Sequence, residues 1–96
     1  MTIRVLAEVT LLPTQLHEMD EIVRKLAEYS LQDRGCMQYE VFKKSNGFVF
    51  IEQWQDESAL KEHETQVHFQ KFLQALNDTK ADLKIESLTE FVNHEH

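Results

Sequence analysis

The residues best suited to chemistry lie close together between Glu52 and Phe69. Trp54, the one tryptophan in the chain, ends an apolar segment, and His63 and His68 follow on the next two segments. Imidazole titrates near neutral pH and often serves as a general base. Indole offers a flat apolar face and one N–H donor. This block therefore predicts a pocket for a planar aromatic molecule, with His63 as the base that removes a phenolic proton.

Each of these residues also has a purely structural interpretation. Trp54 is equally consistent with a core residue, His63 with a satisfied buried histidine, and His68 with the first turn of a helix. We expect the Glu52 carboxylate to accept a hydrogen bond from a neighbouring backbone group or a histidine. Trp54 and His63 are the predicted catalytic residues, and the predicted substrate-binding residues are Tyr39, Phe50, Glu52, His68, Phe69 and Phe72.

Cofactor signatures are weak in this sequence. His63 and His68 are five positions apart rather than the i, i+4 pair of a zinc helix, and no cysteine cluster or third ligand is evident beside them. Gly35 and Gly47, the two glycines in the chain, form no phosphate-binding loop. The sequence predicts neither a metal nor any other cofactor.

Length and composition narrow the class of protein. The chain has 96 residues, which predicts one domain over 1–96, with 42% hydrophobic and 28% charged residues. A formal net charge of -7 lacks the basic patch that nucleic acid or an anionic membrane surface requires. No apolar run approaches the roughly 20 residues of a membrane span, and the first residues do not resemble a signal peptide. Cys36 is the single cysteine, which excludes an intrachain disulfide. We expect a cytoplasmic protein.

The first part of the chain is predicted to form a strand followed by a helix. Apolar residues alternate with other residues from Ile3 to Val9, the period of a strand. Pro13 ends this strand, and Thr14 is expected to cap a helix whose apolar residues recur at helical spacing. The helix should end before Gly35, since glycine favours a C-terminal break.

A hairpin is predicted next. Strands over 36–44 and 48–55 flank Asn46-Gly47, a pair that tolerates the positive φ angles of tight turns. In the first strand we expect Met37, Tyr39 and Val41 on one face and Cys36, Gln38, Glu40 and Phe42 on the other. Both faces of the hairpin are apolar, so both must be covered. Helices can cover one face, and the other needs a second layer.

The remaining segments complete an α+β plan. Asp56 is a predicted N-cap for a short helix that includes His63, and Phe69 and Phe72 belong to the apolar stripe of a second helix. A final strand is predicted over 83–92. The order β-α-β-β-α-α-β indicates a ferredoxin-like fold with an antiparallel sheet and helices on one face.

Several motifs resemble one known family. They are Gly35-Cys36-x-x-Tyr39-x-Val41, Glu52-x-Trp54, Ala59-Leu60-x-x-His63 and His68-Phe69. In this order they resemble the antibiotic biosynthesis monooxygenase domain family, over nearly the whole chain. The resemblance implies a dimeric α+β barrel, in which the sheets of two subunits pack face to face, and a pocket between each sheet and its helices.

The resemblance also implies an activity. Members of the family include cofactor-free oxygenases that oxidise phenolic or quinol substrates with dioxygen, so we expect a homodimeric monooxygenase of a small aromatic or quinol-type molecule. One alternative is isomerisation or degradation of a small phosphorylated signal molecule, and another is a non-enzymatic dimeric module that binds a small ligand. Haem degradation is disfavoured, because haem-degrading relatives carry an Asn on the first strand where this chain has Ala7-Glu8-Val9. Fold alone does not choose between these functions.

Overall fold

The computed structural model describes residues 2–91 of the chain. It contains four strands, three α-helices and one short 3₁₀ turn. In chain order they are β1 (Ile3–Thr10), the 3₁₀ turn (Pro13–Gln15), α1 (Leu16–Ser30), β2 (Cys36–Lys44), β3 (Gly47–Trp54), α2 (Glu57–Glu64), α3 (Val67–Thr79) and β4 (Asp82–Leu88).

The four strands form one sheet in the order β2-β3-β1-β4, and every neighbouring pair is antiparallel. Phe50 lies at its centre, opposite Ala7 on β1 and Val41 on β2. Residues from α1 and α3 pack against one face of this sheet to form the core. The predicted ferredoxin-like α+β fold with helices on one face is confirmed.

The β2–β3 hairpin has the predicted position but a different turn geometry. Lys44 pairs with Gly47, so Ser45 and Asn46 form the loop. In the described residues, Lys80 is the non-glycine residue with a positive φ, so Asn46 does not adopt the positive φ that an Asn-Gly pair tolerates. Gly47 is needed for another reason: a Cβ there would lie 1.7 Å from the carbonyl oxygen of Val9.

A β-bulge changes which side chains share a face at the start of β2. The register shifts between Cys36 and Gln38, so that Cys36 lies opposite Trp54 and packs against the core. Met37 is 57% exposed, and the prediction that it shares the face of Tyr39 is wrong. Burial raises the pKa of the Cys36 thiol to about 11, in keeping with an inert thiol.

Two of the predicted helix and strand boundaries need correction. Thr14 lies inside the 3₁₀ turn and is not the N-cap of α1, because α1 begins at Leu16 and Gln15 occupies the N-cap position. The Gln15 side chain accepts a 3.3 Å hydrogen bond from the Leu12 N–H. The last strand ends at Leu88, earlier than predicted, and Val92 lies outside the described residues. The predicted Asp56 cap of α2 is confirmed, since its carboxylate accepts a 2.8 Å bond from the Ala59 N–H.

The face of the sheet away from the helices is the open face. Cross-strand partners place five apolar residues on it: Leu6, Phe42, Val49, Ile51 and Leu88. Phe42 is 52% exposed and Leu88 is 44% exposed. Within residues 2–91, no helix is both long enough and apolar enough to cross a membrane.

Candidate functional site

The strand-to-helix switch after β3 brings His63 back over the end of the sheet. Asp56 caps α2, and the helix places the His63 ring 4.5 Å from the Trp54 ring, centroid to centroid. His63 is 2% exposed and Trp54 is 0% exposed. The predicted proximity of these two side chains is therefore found, in a fully buried setting.

The loop between α1 and β2 approaches α2 closely at Gly35. This glycine has a φ of +78°, and a Cβ on it would lie 2.5 Å from the Cβ of Ala59. Its carbonyl accepts a 2.7 Å hydrogen bond from the Gln55 N–H, which ties the loop to the end of β3. A glycine is thus required here, and the close approach brings Asp33 within reach of α2.

Asp33 joins the two histidines, and the sequence analysis missed it. Its Oδ2 lies 2.6 Å from His63 Nδ1 and 2.8 Å from His68 Nε2. The three side chains come from three segments: the α1–β2 loop, the last turn of α2 and the first turn of α3. We call these residues the Asp–His–His cluster. The available signal was an acidic residue two positions before Gly35, in a loop facing the strand that carries Trp54.

The hydrogen bond to Asp33 fixes the tautomer of His63. With the carboxylate accepting from Nδ1–H, the lone pair of the imidazole resides on Nε2. Within the described chain, Nε2 is buried and has no hydrogen-bond partner. Burial lowers the pKa of His63 below its ordinary value of 6.5, and the hydrogen bond and charge of Asp33 oppose this shift. The ring is therefore a neutral base at neutral pH.

Glu52 bonds Trp54 rather than the predicted backbone group or histidine. Trp54 Nε1–H donates to Glu52 Oε1 at 2.9 Å, and both side chains are buried on the helix-covered face of β3. Burial raises the pKa of Glu52 to about 7, although the bond from Trp54 acts to lower it. A large fraction of this carboxyl is protonated at neutral pH.

The remaining predicted site residues pack around these groups. Tyr39 is buried 5.7 Å from the His63 ring, and burial followed by the charge of Glu52 raises its pKa well above 10. Phe69 lies 5.1 Å from His63, while Phe72 contacts Phe69 and Phe50 at 6.3 and 5.4 Å. Phe50 and Phe72 touch no member of the Asp–His–His cluster among the ring contacts and are deep core residues.

A cavity of about 410 Å³ opens beside His68, between α1 and α3. The His68 ring stacks on Tyr29 at 5.7 Å, and Tyr29 is 53% exposed. The lining residues are Glu21, Ile22, Lys25, Leu26, Tyr29, Val67, His68 and Lys71. Trp54, His63 and Phe69 do not line this cavity, and of the predicted site residues it exposes His68. Sequence analysis missed Tyr29, Lys25 and Lys71, which look like surface positions of amphipathic helices.

Comparison with known proteins identifies the family. The family profile described as "Antibiotic biosynthesis monooxygenase" matches residues 2–75. The chain belongs to the antibiotic biosynthesis monooxygenase family. The matched region contains every member of the Asp–His–His cluster as well as Trp54 and Glu52.

Relatives within this family are similar in sequence and in structure. The chain is 36% identical over 64 residues to a Bacillus subtilis (strain 168) protein described as "Putative monooxygenase YcnE", covering 64% of this chain and 67% of the relative. A crystal structure of an antibiotic biosynthesis monooxygenase superimposes with a TM-score of 0.86 at 26% identity, covering 94% of this chain and 99% of the other. PA3566 from Pseudomonas aeruginosa superimposes with a TM-score of 0.85 at 27% identity, covering 95% of each chain.

Proposed function

We propose that this protein is a monooxygenase that oxidises a small phenol or quinol with dioxygen and uses no bound cofactor. Family membership and the description of the Bacillus subtilis relative support the class of reaction. The observation that carries the proposal is the His63 imidazole: its Nδ1 is held by Asp33, and its Nε2 is buried with no hydrogen-bond partner among residues 2–91. An oriented, desolvated lone pair is what a general base requires.

His63 starts the reaction by accepting the phenolic proton on Nε2. Asp33 stabilises the imidazolium that forms and keeps the ring in one orientation, the role that a carboxylate plays in other Asp–His pairs. The phenolate is electron-rich enough to react with dioxygen, forming a carbon–oxygen bond at an ortho or para ring carbon that carries a hydrogen. The imidazolium returns its proton to the peroxide oxygen.

The second half of the reaction completes the balance of atoms and electrons. The attacked ring carbon loses its hydrogen as a proton, the O–O bond breaks with release of hydroxide, and the two combine and leave as water. One oxygen atom of dioxygen becomes a quinone carbonyl and the other becomes water. The substrate supplies all four electrons, so the reaction needs no external reductant.

The aromatic residues around His63 suit a planar substrate. Trp54, Tyr39 and Phe69 surround the imidazole at centroid distances of 4.5, 5.7 and 5.1 Å. Rings of this kind stack on aromatic molecules and exclude water from a reacting anion. We propose that the substrate enters by the cavity at His68 and reaches Nε2 when the Tyr29–His68 stack moves aside.

A homodimer is part of this proposal. The open face presents Leu6, Phe42, Val49, Ile51 and Leu88, and the chain has no second layer in residues 2–91 to cover them. A sheet-to-sheet contact of about 1,200–2,000 Å² would bury this face. Sedimentation should find a dimer at micromolar concentration, and Phe42→Glu should shift it towards monomer. A folded wild-type monomer at that concentration would contradict this part of the proposal.

One observation favours a second candidate, an enzyme that isomerises or degrades a small phosphorylated molecule. Lys25 and Lys71 line the same cavity as His68 and can attract a phosphate, and Lys25 Nζ lies 4.0 Å from Glu21 Oε2 in the same lining. This candidate predicts turnover of phosphorylated sugars without oxygen uptake.

Oxygen consumption on a panel of phenols and quinols tests the proposal. His63→Gln is compared with wild type, because the amide can still donate to Asp33 but cannot act as a base. His17→Gln is the matched control, since His17 is an exposed residue of α1. We expect the His63 variant to lose about 10²–10⁴-fold in kcat, with circular dichroism and unfolding curves confirming its fold. Equal rates in the two variants would exclude His63 as the base.

A further inference from the structure

The Asp–His–His cluster also has the composition and geometry of a metal site. We propose that Asp33, His63 and His68 bind one divalent transition-metal ion, with Zn²⁺ or Co²⁺ as the preferred class. One candidate ligand atom from each residue lies within 4.8 Å of the other two. Binding of the ion does not depend on the proposed oxygenase activity, and only its effect on catalysis rests on that proposal.

The observed distances are close to those of a metal centre. Zinc binds imidazole nitrogen and carboxylate oxygen at about 2.0–2.2 Å, which separates tetrahedral ligand atoms by roughly 3.3 Å. Asp33 Oδ2 is already 2.6 Å from His63 Nδ1 and 2.8 Å from His68 Nε2. The oxygen–nitrogen distances need to open by roughly 0.5–0.7 Å.

The donor set determines which ions fit. Two imidazoles and one carboxylate suit zinc and the neighbouring first-row metals, whereas calcium and magnesium prefer oxygen ligands. The side chains of Asp33 and His68 are 12% and 14% exposed, so three ligands are held in a largely dry environment. His68 also borders the 410 Å³ cavity, so one of the three candidate ligands adjoins an open space. Three protein ligands with one open position resemble a catalytic rather than a purely structural zinc site.

His63 cannot bind a metal ion through Nδ1 and act as a base through Nε2 at the same time. Coordination through Nδ1 of His63 places the ring proton on Nε2, which removes the lone pair that accepts the phenolic proton. That N–H would then be buried without an acceptor in the described chain, because Nε2 has no partner now. The unmet hydrogen bond weakens metal binding. A bound ion therefore inhibits the cofactor-free reaction, and chelators restore it.

Calorimetric titration of the full-length protein with Zn²⁺ or Co²⁺ alone tests this inference. The protein is first treated with a chelator and exchanged into metal-free buffer. The chain has five histidines, so a variant carrying His17→Gln, His94→Gln and His96→Gln removes the three outside the cluster and serves as the matched control. We expect one ion per chain in wild type and in this control, and an ion-dependent rise in melting temperature.

Asp33→Asn and His68→Gln each remove one ligand. We expect both variants to lose at least about tenfold in affinity and to lose the visible Co²⁺ spectrum of a four-coordinate site. Melting curves without metal identify any variant that fails to fold, and the more exposed His68→Gln then carries the test. Absence of binding to wild type at millimolar Zn²⁺ would overturn the inference. So would loss of binding in the control variant with retention in both ligand variants.

Discussion

The two ends of the core are built from different kinds of residue. The hairpin end, beside the β2–β3 turn, contains Val9, Leu11, Met19, Val23 and Phe48, all buried and all apolar. The opposite end, which we call the cluster end, holds Trp54 with Glu52 and His63, two of the three buried polar or charged residues found in the described chain. It also contains Asp33 and His68.

This difference separates what stabilises the fold from what performs the chemistry. Apolar burial at the hairpin end contributes stability in proportion to the area removed from water. Burying an ionisable group costs free energy unless the group is paired. Even a paired group seldom stabilises the fold more than an apolar residue of similar size. The perturbed pKa values of Glu52 and His63 lie at the cluster end. Such clustering of perturbed groups is typical of functional sites.

The largest expected effect on stability comes from the hairpin end. Phe48→Ala deletes a 4% exposed core ring on β3, opposite Val9 of β1, and should lower the free energy of unfolding by about 3–5 kcal/mol. Urea denaturation measures the change. Any fraction that remains folded should keep wild-type kcat, because Phe48 is far from the cluster. A loss below about 1 kcal/mol would contradict the view that the hairpin end provides most of the stability.

Glu52 gives the cluster end a distinctive pH dependence. Its pKa is raised from 4.5 to about 7, so its contribution to stability is present below about pH 4.5 and is lost as pH rises through about 7. Glu52→Gln imitates the protonated acid and can still accept the bond from Trp54. Its stability relative to wild type should rise by about 2–3 kcal/mol between pH 5 and pH 8.

His63 also contributes to the pH dependence of stability, with the opposite sign. Its contribution is the same in wild type and in Glu52→Gln, so it cancels when the stabilities of these two proteins are compared at each pH. The His63 pKa is lowered from 6.5, so neutral His63 stabilises the fold above that pH and the stabilisation is lost on acidification. Glu28→Gln, on the exposed side of α1, is the matched control and should show no such pH trend. A parallel pH dependence in wild type and Glu52→Gln would contradict burial of a carboxyl with a raised pKa.

Asp33→Asn should separate activity from stability at the cluster end. The amide keeps the size of the side chain but removes the charge that stabilises a protonated His63, so kcat/KM should fall by about 10²-fold or more. Oxygen uptake measures the rate. Asp20→Asn, which removes an exposed ion pair of 2.9 Å with Lys43, is the control and should leave the rate unchanged. An Asp33 variant with wild-type activity would exclude the Asp–His mechanism.

The smallest effect is expected for Tyr39→Phe. The change keeps the ring contacts with His63 at 5.7 Å and Trp54 at 6.4 Å and removes one hydroxyl. The free energy of unfolding should change by less than about 1.5 kcal/mol, the range of one hydrogen bond. Thermal and urea unfolding both test this. A loss as large as that of Phe48→Ala would show that the cluster end carries stability as the hairpin end does.

Much of the fold could be predicted from local sequence patterns. Alternation in β1, the Asp56 cap and the position of Gly35 each act over a few residues, and the structure confirms them. The predictions that failed depend on interactions between distant segments. The bulge at Met37 moves Cys36 to the core, and Gln15, whose side-chain amide donates to the Thr79 carbonyl at 3.1 Å, occupies the N-cap position of α1 in place of Thr14.

The part of the site that could be predicted also depends on residues close together in the sequence. Trp54 and His63 lie on consecutive segments, so the strand-to-helix switch was enough to bring them together. Asp33 is 30 residues from His63 and 35 from His68, and only the packing of α1 against α3 reveals the contact. Tyr29 and its cavity were missed because an exposed helical tyrosine gives no local signal.

The protonation state of His63 is the central claim, and nitrogen-15 NMR of the imidazole rings tests it most directly. In metal-free protein at pH 7, His63 should be neutral with its proton on Nδ1, and its pKa should lie below 6.5. Asp33→Asn should alter this tautomer preference, whereas His17→Gln should leave the His63 signals unchanged. A His63 ring that is doubly protonated at pH 7, or that carries its single proton on Nε2, would contradict the account.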